Sequence, residues 1–480
     1  MIRNLKPYPA YKDSGVPWLG RVPEHWDVVP NRALLRPRKD VVGADAGDYT
    51  LLSLTKQGII PRDLENAKGK FPTNFDSYQL VLPGDLVFCL FDIDETPRTV
   101  GLSTLGGMIT GAYDRFECLN PSDGQFVYYY YLAMDNGKRL KPLYTGLRKV
   151  IQRSTFMSAK MPLPPVSEQA AIVRYLDHAD RKVRHAIHAR QQLIKLLTEQ
   201  KQAIIQRAVT RGLDPSVPLK PSGVAWLGSI PKRWDVLPMK RCSSVISKGT
   251  TPSTEGREIL GVGQIRFLKA ENVSGGKIVN RPLAFIDEET HTMLRRSQLR
   301  QDDVLFVIAG ATLGKTAIVR PEHLPANTNQ AVAFVRPNRR VVPEFLALWL
   351  QSPRITEQVW LNAVQSAQPN LSMESLGMFS VPLPSREEQS AIVQYLDVAT
   401  ANLDNAIDAA RREIDLLREY RTRLIADVVT GKLDVHDVPV PDDETDVLPE
   451  DMETIDDVDT VDQTDDVTEG NSESSAEETA

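Results

Sequence analysis

The sequence predicts a mixed α+β chain: two α/β domains held by two long antiparallel coiled-coil helices with pseudo-two-fold symmetry. Three observations carry this prediction. The stretch "PLPPVSEQAAIVRYLD" (162–177) recurs 220 residues later as "PLPSREEQSAIVQYLD" (382–397), identical at 11 of 16 positions. Upstream of each copy, "GVPWLGRVPEHWDVVP" (15–30) is echoed by "GVAWLGSIPKRWDVLP" (223–238), identical at 10 of 16. After each Pro-Leu-Pro element the pattern is helical for about forty residues without Gly or Pro.

At 480 residues the chain is long enough for two or three domains. The repeats divide it into a first α/β domain (1–160), a central helical spacer (161–214), a second α/β domain (215–380), a distal helical spacer (381–434) and an acidic tail (435–480). Within each domain, short β-rich runs such as "DLVFCLFDI", "VLFVIAG" and "AVAFVRP" are broken by Gly and Pro. Helical patterns come late, at "FVYYYYLAMDNGKRL" and "PEFLALWLQSPRITEQVW". The stretches that follow the two tryptophan motifs do not align by eye, so two similar frames are expected to hold two different inserts.

Each spacer opens with an extended Pro-Leu-Pro approach, because proline fixes φ and restrains the residue before it. Ser167 is placed to cap the first helix, with Glu168 at its positive end. Val183, Ile187, Arg190, Ile194, Leu197, Lys201 and Ile204 keep a heptad spacing, matched by Leu403, Ile407, Ala410, Ile414, Leu417, Arg421 and Leu424. A helix of forty residues is about 60 Å long, and its seam needs a partner. The second copy returning against the first, antiparallel, supplies one. Trp18, Trp26, Trp226 and Trp234 are expected to pin each domain to the helix bases.

The net charge of −6 conceals an asymmetry. From Val435 onward there are 18 acids and no Lys or Arg, which leaves 57 − 45 = +12 on the first 434 residues. A basic body points to a polyanion, nucleic acid first. The tail has no periodicity and no aromatics and is expected to be disordered, either as a solubilising extension or as a segment that lies over the basic surface and slows non-specific binding. Three scattered cysteines exclude a disulfide framework or a zinc knuckle and fit a reducing cytoplasm. No apolar run approaches the ~20 residues of a membrane span, and the N-terminus has no signal-like apolar stretch.

Catalytic signatures do not assemble. "NPSD" (120–123) and "QPNL" (368–371) lack the second proline and the aromatic of a methyltransferase motif. "GATLGKT" (310–316) has one residue too few between its glycines for a P-loop. Glu199-Gln200-Lys201 has a nuclease-like spacing but sits mid-seam, and His178, His185 and His188 read as surface histidines. The chain is expected to be non-catalytic, with no catalytic residue, no metal and no cofactor of its own.

At these residues the chain resembles the specificity (S) subunit of type I restriction-modification enzymes. The likeness runs from "KPYPAYKDSGVPWLG" to "VVTGKLD", about 430 residues. It rests on the doubled "PLP…EQ…I…LD" element with its long helix, on "YKDSGVPWLGRVPEHW", and on "NTNQAVAF" and "QPNLSMESLGMFSVPLP". The first domain departs, with "GLRKVIQRSTFMSAKMPLP" in place of the last of these. The resemblance implies that the α/β domains are target-recognition domains reading a bipartite, asymmetric site in double-stranded DNA. It implies docking of two methyltransferase (M) subunits and two restriction (R) subunits, with S-adenosylmethionine, ATP and Mg in those partners. A single-chain enzyme, a coiled-coil scaffold that binds no DNA and a specificity subunit of a type IIB-like methylase-nuclease system are the rival readings.

Polar and basic residues at Gly-rich turns are the candidate DNA contacts. In the first domain these are Lys56, Gln57, Arg62, Arg98, Tyr113, Arg148, Lys149 and Arg153. In the second they are Lys248, Thr250, Thr251, Ser253, Lys269, Asn272, Lys315, Thr316, Asn329 and Gln330. Arg and Lys suit guanine edges or phosphates, and Asn and Gln suit adenine. Glu168, Gln169, Glu388 and Gln389, at the helix starts, are candidates for partner docking or for capping.

Overall fold

A computed structural model of the chain describes residues 5–62, 75–144, 149–363 and 369–441. Arg148 and all of the tail beyond residue 441 lie outside them. The chain divides into two compact units, Met1–Gln191 with Arg412–Ala480, and Gln192–Arg411. Each unit therefore combines one α/β domain with a stretch of each long helix, Val166–Arg211 and Arg386–Val429.

In the first unit the tryptophan motif begins as a hairpin, Tyr11–Asp13 against Arg21–Pro23. Its turn closes through the Ser14 amide on the Gly20 carbonyl, with Gly15 and Gly20 at positive φ, where L side chains are strained. The next strand, Asp27–Pro30, pairs antiparallel with Lys160–Leu163, so that Asp27 faces Leu163 of the Pro-Leu-Pro element. The two repeated motifs are thus the two ends of one domain, paired to each other. Between them lies a four-stranded antiparallel sheet in the order Leu35–Arg38, Asp114–Cys118, Leu86–Phe88, Val100–Leu102.

The second unit repeats this plan. Leu219–Pro221 pairs with Ser229–Pro231, and Asp235–Pro238 pairs with Ser380–Leu383. Its four-stranded sheet runs Ser243–Lys248, Val332–Pro337, Val304–Val307, Thr316–Ile318. In both sheets the spatial order is first, fourth, second, third strand of the chain. The expectation of two different inserts is corrected here: they are two versions of one sheet. They differ in what is added. The first unit carries the hairpin Leu52–Thr55 with Gly58–Pro61, and the second a three-stranded sheet centred on Ile265–Leu268.

Each unit packs its tryptophan motif on the helix ends. Trp26 is fully buried in a core that includes Ile172, Leu176 and Ala179 of the first long helix and Leu424, Val428 and Val429 of the second. Trp234 is buried with Ile205, Ala208 and Val209, together with Ile392 and Leu396. In each unit an early stretch of one helix meets a late stretch of the other, so the pair is antiparallel. Seam positions Arg190, Lys201 and Arg421 are charged and reach acids on the facing helix: Glu413, Asp404 at 2.5 Å, and Asp180.

Two local expectations are corrected. The first helix begins at Val166, and the Pro165 carbonyl accepts from the Glu168 and Gln169 amides at 2.9 Å, so Ser167 lies inside the first turn and is not the cap. The second copy has Ser385 where the first has Pro165, and its Oγ accepts from the Glu388 amide at 3.3 Å. The boundary at 435 also shifts. Val435 is 1% exposed, with Val438 and Val440 packed on the same core, so the chain just past Asp434 belongs to the first unit's packed body.

Candidate nucleic-acid interface

The second unit's sheet has one end at which Lys248, Val307, Thr316 and Val332 stand side by side, since Lys248 pairs toward Ala333, Val307 with Val332 and Phe306 with Thr316. The loops leaving this end carry most of the second domain's candidates. Gly249 lets two of them cross: a Cβ there would lie 1.7 Å from the Thr328 carbonyl oxygen. The crossing is fixed by Thr250 N–H to Thr328 O at 3.1 Å and by a Thr251 hydroxyl donating to the Gln330 side chain. Lys248, Ser253, Lys315 and Gln330 are exposed around it, with Thr250, Thr251 and Asn329 half-buried. The glycine turn before Lys315 is tied in by Gly310 N–H to Pro369 O at 3.2 Å and Leu371 N–H to Ile308 O at 2.8 Å.

Two second-domain candidates are not surface groups. Asn272 is 1% exposed and its amide is engaged, accepting from Lys269 N–H at 2.9 Å and donating to the carbonyls of Val279 and Pro282. It shapes a turn and leaves Lys269 beside it half-buried. Thr316 is 2% exposed within its strand. Both are corrected as contact candidates, because no DNA atom reaches a side chain sealed inside the domain.

The first unit builds the same end from different residues. Ile151 N–H donates to Leu90 O at 2.8 Å, the counterpart of Leu371 and Ile308. This brings Lys149 and Arg153 beside the loop after Leu86–Phe88, where Tyr113 stacks on Phe91 with ring centroids 6.1 Å apart. The cations here are engaged by acids: Lys149 with Glu95 at 3.1 Å, and Arg153 Nε with Asp114 at 2.7 Å. The Glu95 bond holds the Lys149 ammonium above its usual range. Arg98 points inward, to Asp135 at 3.3 Å and Asn136 at 2.9 Å, and acts as a strut. Lys56 and Gln57 occupy the tip of the added hairpin, with Gln57 N–H capped by Thr55 Oγ1 at 3.1 Å, and Arg62 follows its second strand. Arg295 and Arg296, not singled out from the sequence, stand exposed beside the strand Ser243–Lys248; their adjacency in "LRRSQLR" was the available signal.

Three of the four helix-start residues are buried, and the fourth, Glu388, is half-buried at the rim of its unit. Glu168 is a buried acceptor for Trp26 Nε1 at 2.9 Å, His25 Nε2 at 2.8 Å and the Tyr8 hydroxyl. Glu388 takes Arg233 in a two-pronged pair at 2.7 and 3.1 Å. Gln169 and Gln389, 2% and 0% exposed, donate to the Pro164 and Pro384 carbonyls, and Gln389 also accepts from Val342 N–H at 2.8 Å. These side chains bind the domain to the helix start, which corrects their placing on a shared docking surface.

Among the described residues, no group of three or more His, Cys, Asp or Glu side chains is arranged to hold a metal ion. Cys89, Cys118 and Cys242 are buried, and burial pushes the thiols of Cys118 and Cys242 up to about 12 and about 11. Lys201 of the nuclease-like triplet is paired with Asp404. No helix among the described residues is long and apolar enough to cross a membrane.

Residues 231–413 match the family described as the type I restriction modification DNA specificity domain. The MjaVIII specificity subunit, a type I restriction enzyme component of Methanocaldococcus jannaschii, is 24% identical over 430 residues, covering 86% of this chain and 94% of the relative. The EcoBI specificity subunit of Escherichia coli is 28% identical over 300 residues, 59% of this chain and 60% of the relative. A solved chain from work on complex assembly and conformational transition of the type I R-M system superposes with a TM-score of 0.57 at 16% identity, covering 86% of this chain and 99% of its own length. Along 86% of its length, then, the chain resembles the specificity subunits of type I restriction-modification enzymes.

Proposed function

We propose that this chain is the DNA-reading, non-catalytic subunit of a type I restriction-modification complex, and that each unit reads one half of a bipartite, asymmetric site in duplex DNA. The observation that carries the reading is that two versions of one sheet collect polar and basic side chains at the same end. One plan with two different sets of loops suits two different half-sites on one kind of ligand. Loops at Gly249–Ser253, Gly310–Lys315 and Asn329–Gln330 would face one half-site, and those at Phe91–Glu95, Tyr113 and Lys149–Arg153 the other. Cations would position the duplex through phosphates, and Asn, Gln and Thr side chains would specify through base edges. A mismatch at any read position would cost ~1–3 kcal/mol, roughly additively over both halves.

In this reading two methyltransferase and two restriction subunits dock on the chain, and S-adenosylmethionine, ATP and Mg act in those partners. The helix-start residues Glu168, Gln169, Glu388 and Gln389 support docking only by holding the domains to the helices. The test is reconstitution. A co-expressed methyltransferase subunit with S-adenosylmethionine should methylate adenine at a split motif only when this chain is present. Methylation unchanged by omitting the chain contradicts the proposal.

A further inference from the structure

The strand Ser243–Lys248 is the outer strand of its sheet, paired on one side only, with Val332–Pro337. Beside this strand lies the short turn Arg295–Ser297, where the Ser247 hydroxyl meets the Arg296 carbonyl at 3.5 Å. The turn is rigidly seated. Ser297 is buried, and Asn327 Nδ2 donates to Ser297 Oγ at 2.8 Å and to the Leu294 carbonyl at 3.0 Å. Lys248, Arg295 and Arg296 are all exposed, and among the described residues none of the three has an ion-pair partner.

The first unit's cations at the matching end differ in this respect. Lys149, Arg153 and Arg98 each have a carboxylate within 3.3 Å. To meet a phosphate, such a cation must give up its acid or bring a carboxylate up to the phosphate. Either offsets the gain from releasing a counterion. An unpaired cation on a fixed turn bears no such cost.

We propose that Lys248, Arg295 and Arg296 form a phosphate-binding patch beside this outer strand, and that this patch carries most of the chain's sequence-independent hold on duplex DNA. The inference rests on the DNA-binding reading above and deepens it: the second unit anchors, and the first unit contributes mainly discrimination. The roles are unequal although the two sheets are alike.

The test is the salt dependence of duplex affinity for the full-length chain, measured on DNA carrying the methylated motif and on an unrelated duplex. A contact to one phosphate contributes about 0.9 to the slope of log K against log salt. The triple variant Lys248→Ala, Arg295→Ala, Arg296→Ala should lower that slope by about 2 to 3 on both duplexes. The variant Lys149→Ala, Arg153→Ala should lower it by less than about 1. Keeping charge with Lys248→Arg, Arg295→Lys and Arg296→Lys should retain the slope. An unchanged slope in the triple alanine variant, or an equal fall in the first-unit variant, overturns the inference and leaves the proposed function standing. A wild-type chain with no affinity for either duplex at low salt overturns both.

Discussion

Trp26 Nε1 donates to Glu168 Oε1 at 2.9 Å across 142 residues of sequence, joining one repeated motif to the start of the long helix within the other. The equivalent pair in the second unit, Trp234 and Glu388, is not joined in this way. Arg233 takes both oxygens of Glu388, and the buried Trp234 Nε1 has no hydrogen-bond partner. One repeated frame is therefore tied by buried hydrogen bonds and the other by an ion pair at its rim.

The two ties should respond differently to truncation. Glu168→Ala strands two buried donors, Trp26 Nε1 and the Tyr8 hydroxyl, which burial and then Glu168 itself keep protonated far above the usual phenol range. At ~1–3 kcal/mol for each buried donor left unmade, the loss is about 3 kcal/mol. Glu388→Ala frees an Arg233 whose side chain is 60% exposed, and should cost clearly less than Glu168→Ala. Urea unfolding followed by tryptophan fluorescence measures both; equal losses would contradict the assignment.

Gly249 is the tightest backbone crossing at the candidate interface. Gly249→Ala forces its Cβ onto the Thr328 carbonyl and must separate the Thr250–Ser253 and Asn329–Gln330 loops. The expected cost is about 3 kcal/mol. If the variant still folds, discrimination at one half-site should be lost with the other intact, read by binding to duplexes mutated in each half separately. Loss at both halves alike would show that the effect is global.

The charged seam predicts measurable coupling between the long helices. Asp180 and Arg421 are 15% and 27% exposed, and a double-alanine cycle should give a coupling of about 1 kcal/mol. Lys201 and Asp404 are more exposed and should couple by about half as much. Both values should shrink at 1 M NaCl, where screening is strong. Coupling that does not respond to salt would mean that the side chains pack without pairing.

Asp177, the last residue of the first repeated motif, has its carboxyl raised above the usual range, chiefly by burial, although the Tyr129 hydroxyl donates to it. A carboxyl raised on folding binds its proton more tightly in the native state. Its contribution is thus fully present below its unfolded pKa and is lost as pH rises through the folded value. Asp177→Asn should match wild type at acid pH and gain relative stability as pH rises through that window. Thermal unfolding of both proteins from pH 3 to pH 7 checks the sign.

The frame was legible because it is local and repeated. Forty residues of heptad spacing free of Gly and Pro specify a helix by themselves, and doubling the Pro-Leu-Pro motif announced a second one. The common sheet was not legible. Its strands are short, Leu86–Phe88 and Val100–Leu102 having three residues each, and the likeness lies in which strand pairs with which, a long-range property that alignment by eye does not see. Burial of polar residues was hidden for the same reason. Gln389 is a surface residue by type, and it is buried because the Val342 amide and the Arg340 carbonyl, nearly fifty positions away, are brought to it. The rule of polar and basic residues at glycine turns picked Lys248 and Lys315, which the fold leaves exposed at one sheet end. The same rule also picked Asn272 and Thr316, which the fold seals.

The central claim, that two unlike versions of one sheet read the two halves of one DNA site, is tested most directly by single-molecule sequencing of host DNA for N6-methyladenine. The host would carry this gene intact, deleted, or with the second domain (215–380) exchanged for that of a related specificity subunit. The account predicts a split, asymmetric motif that loses methylation on deletion and changes in one half only on exchange. A motif that persists without the gene, or that changes in both halves on exchange, would contradict it.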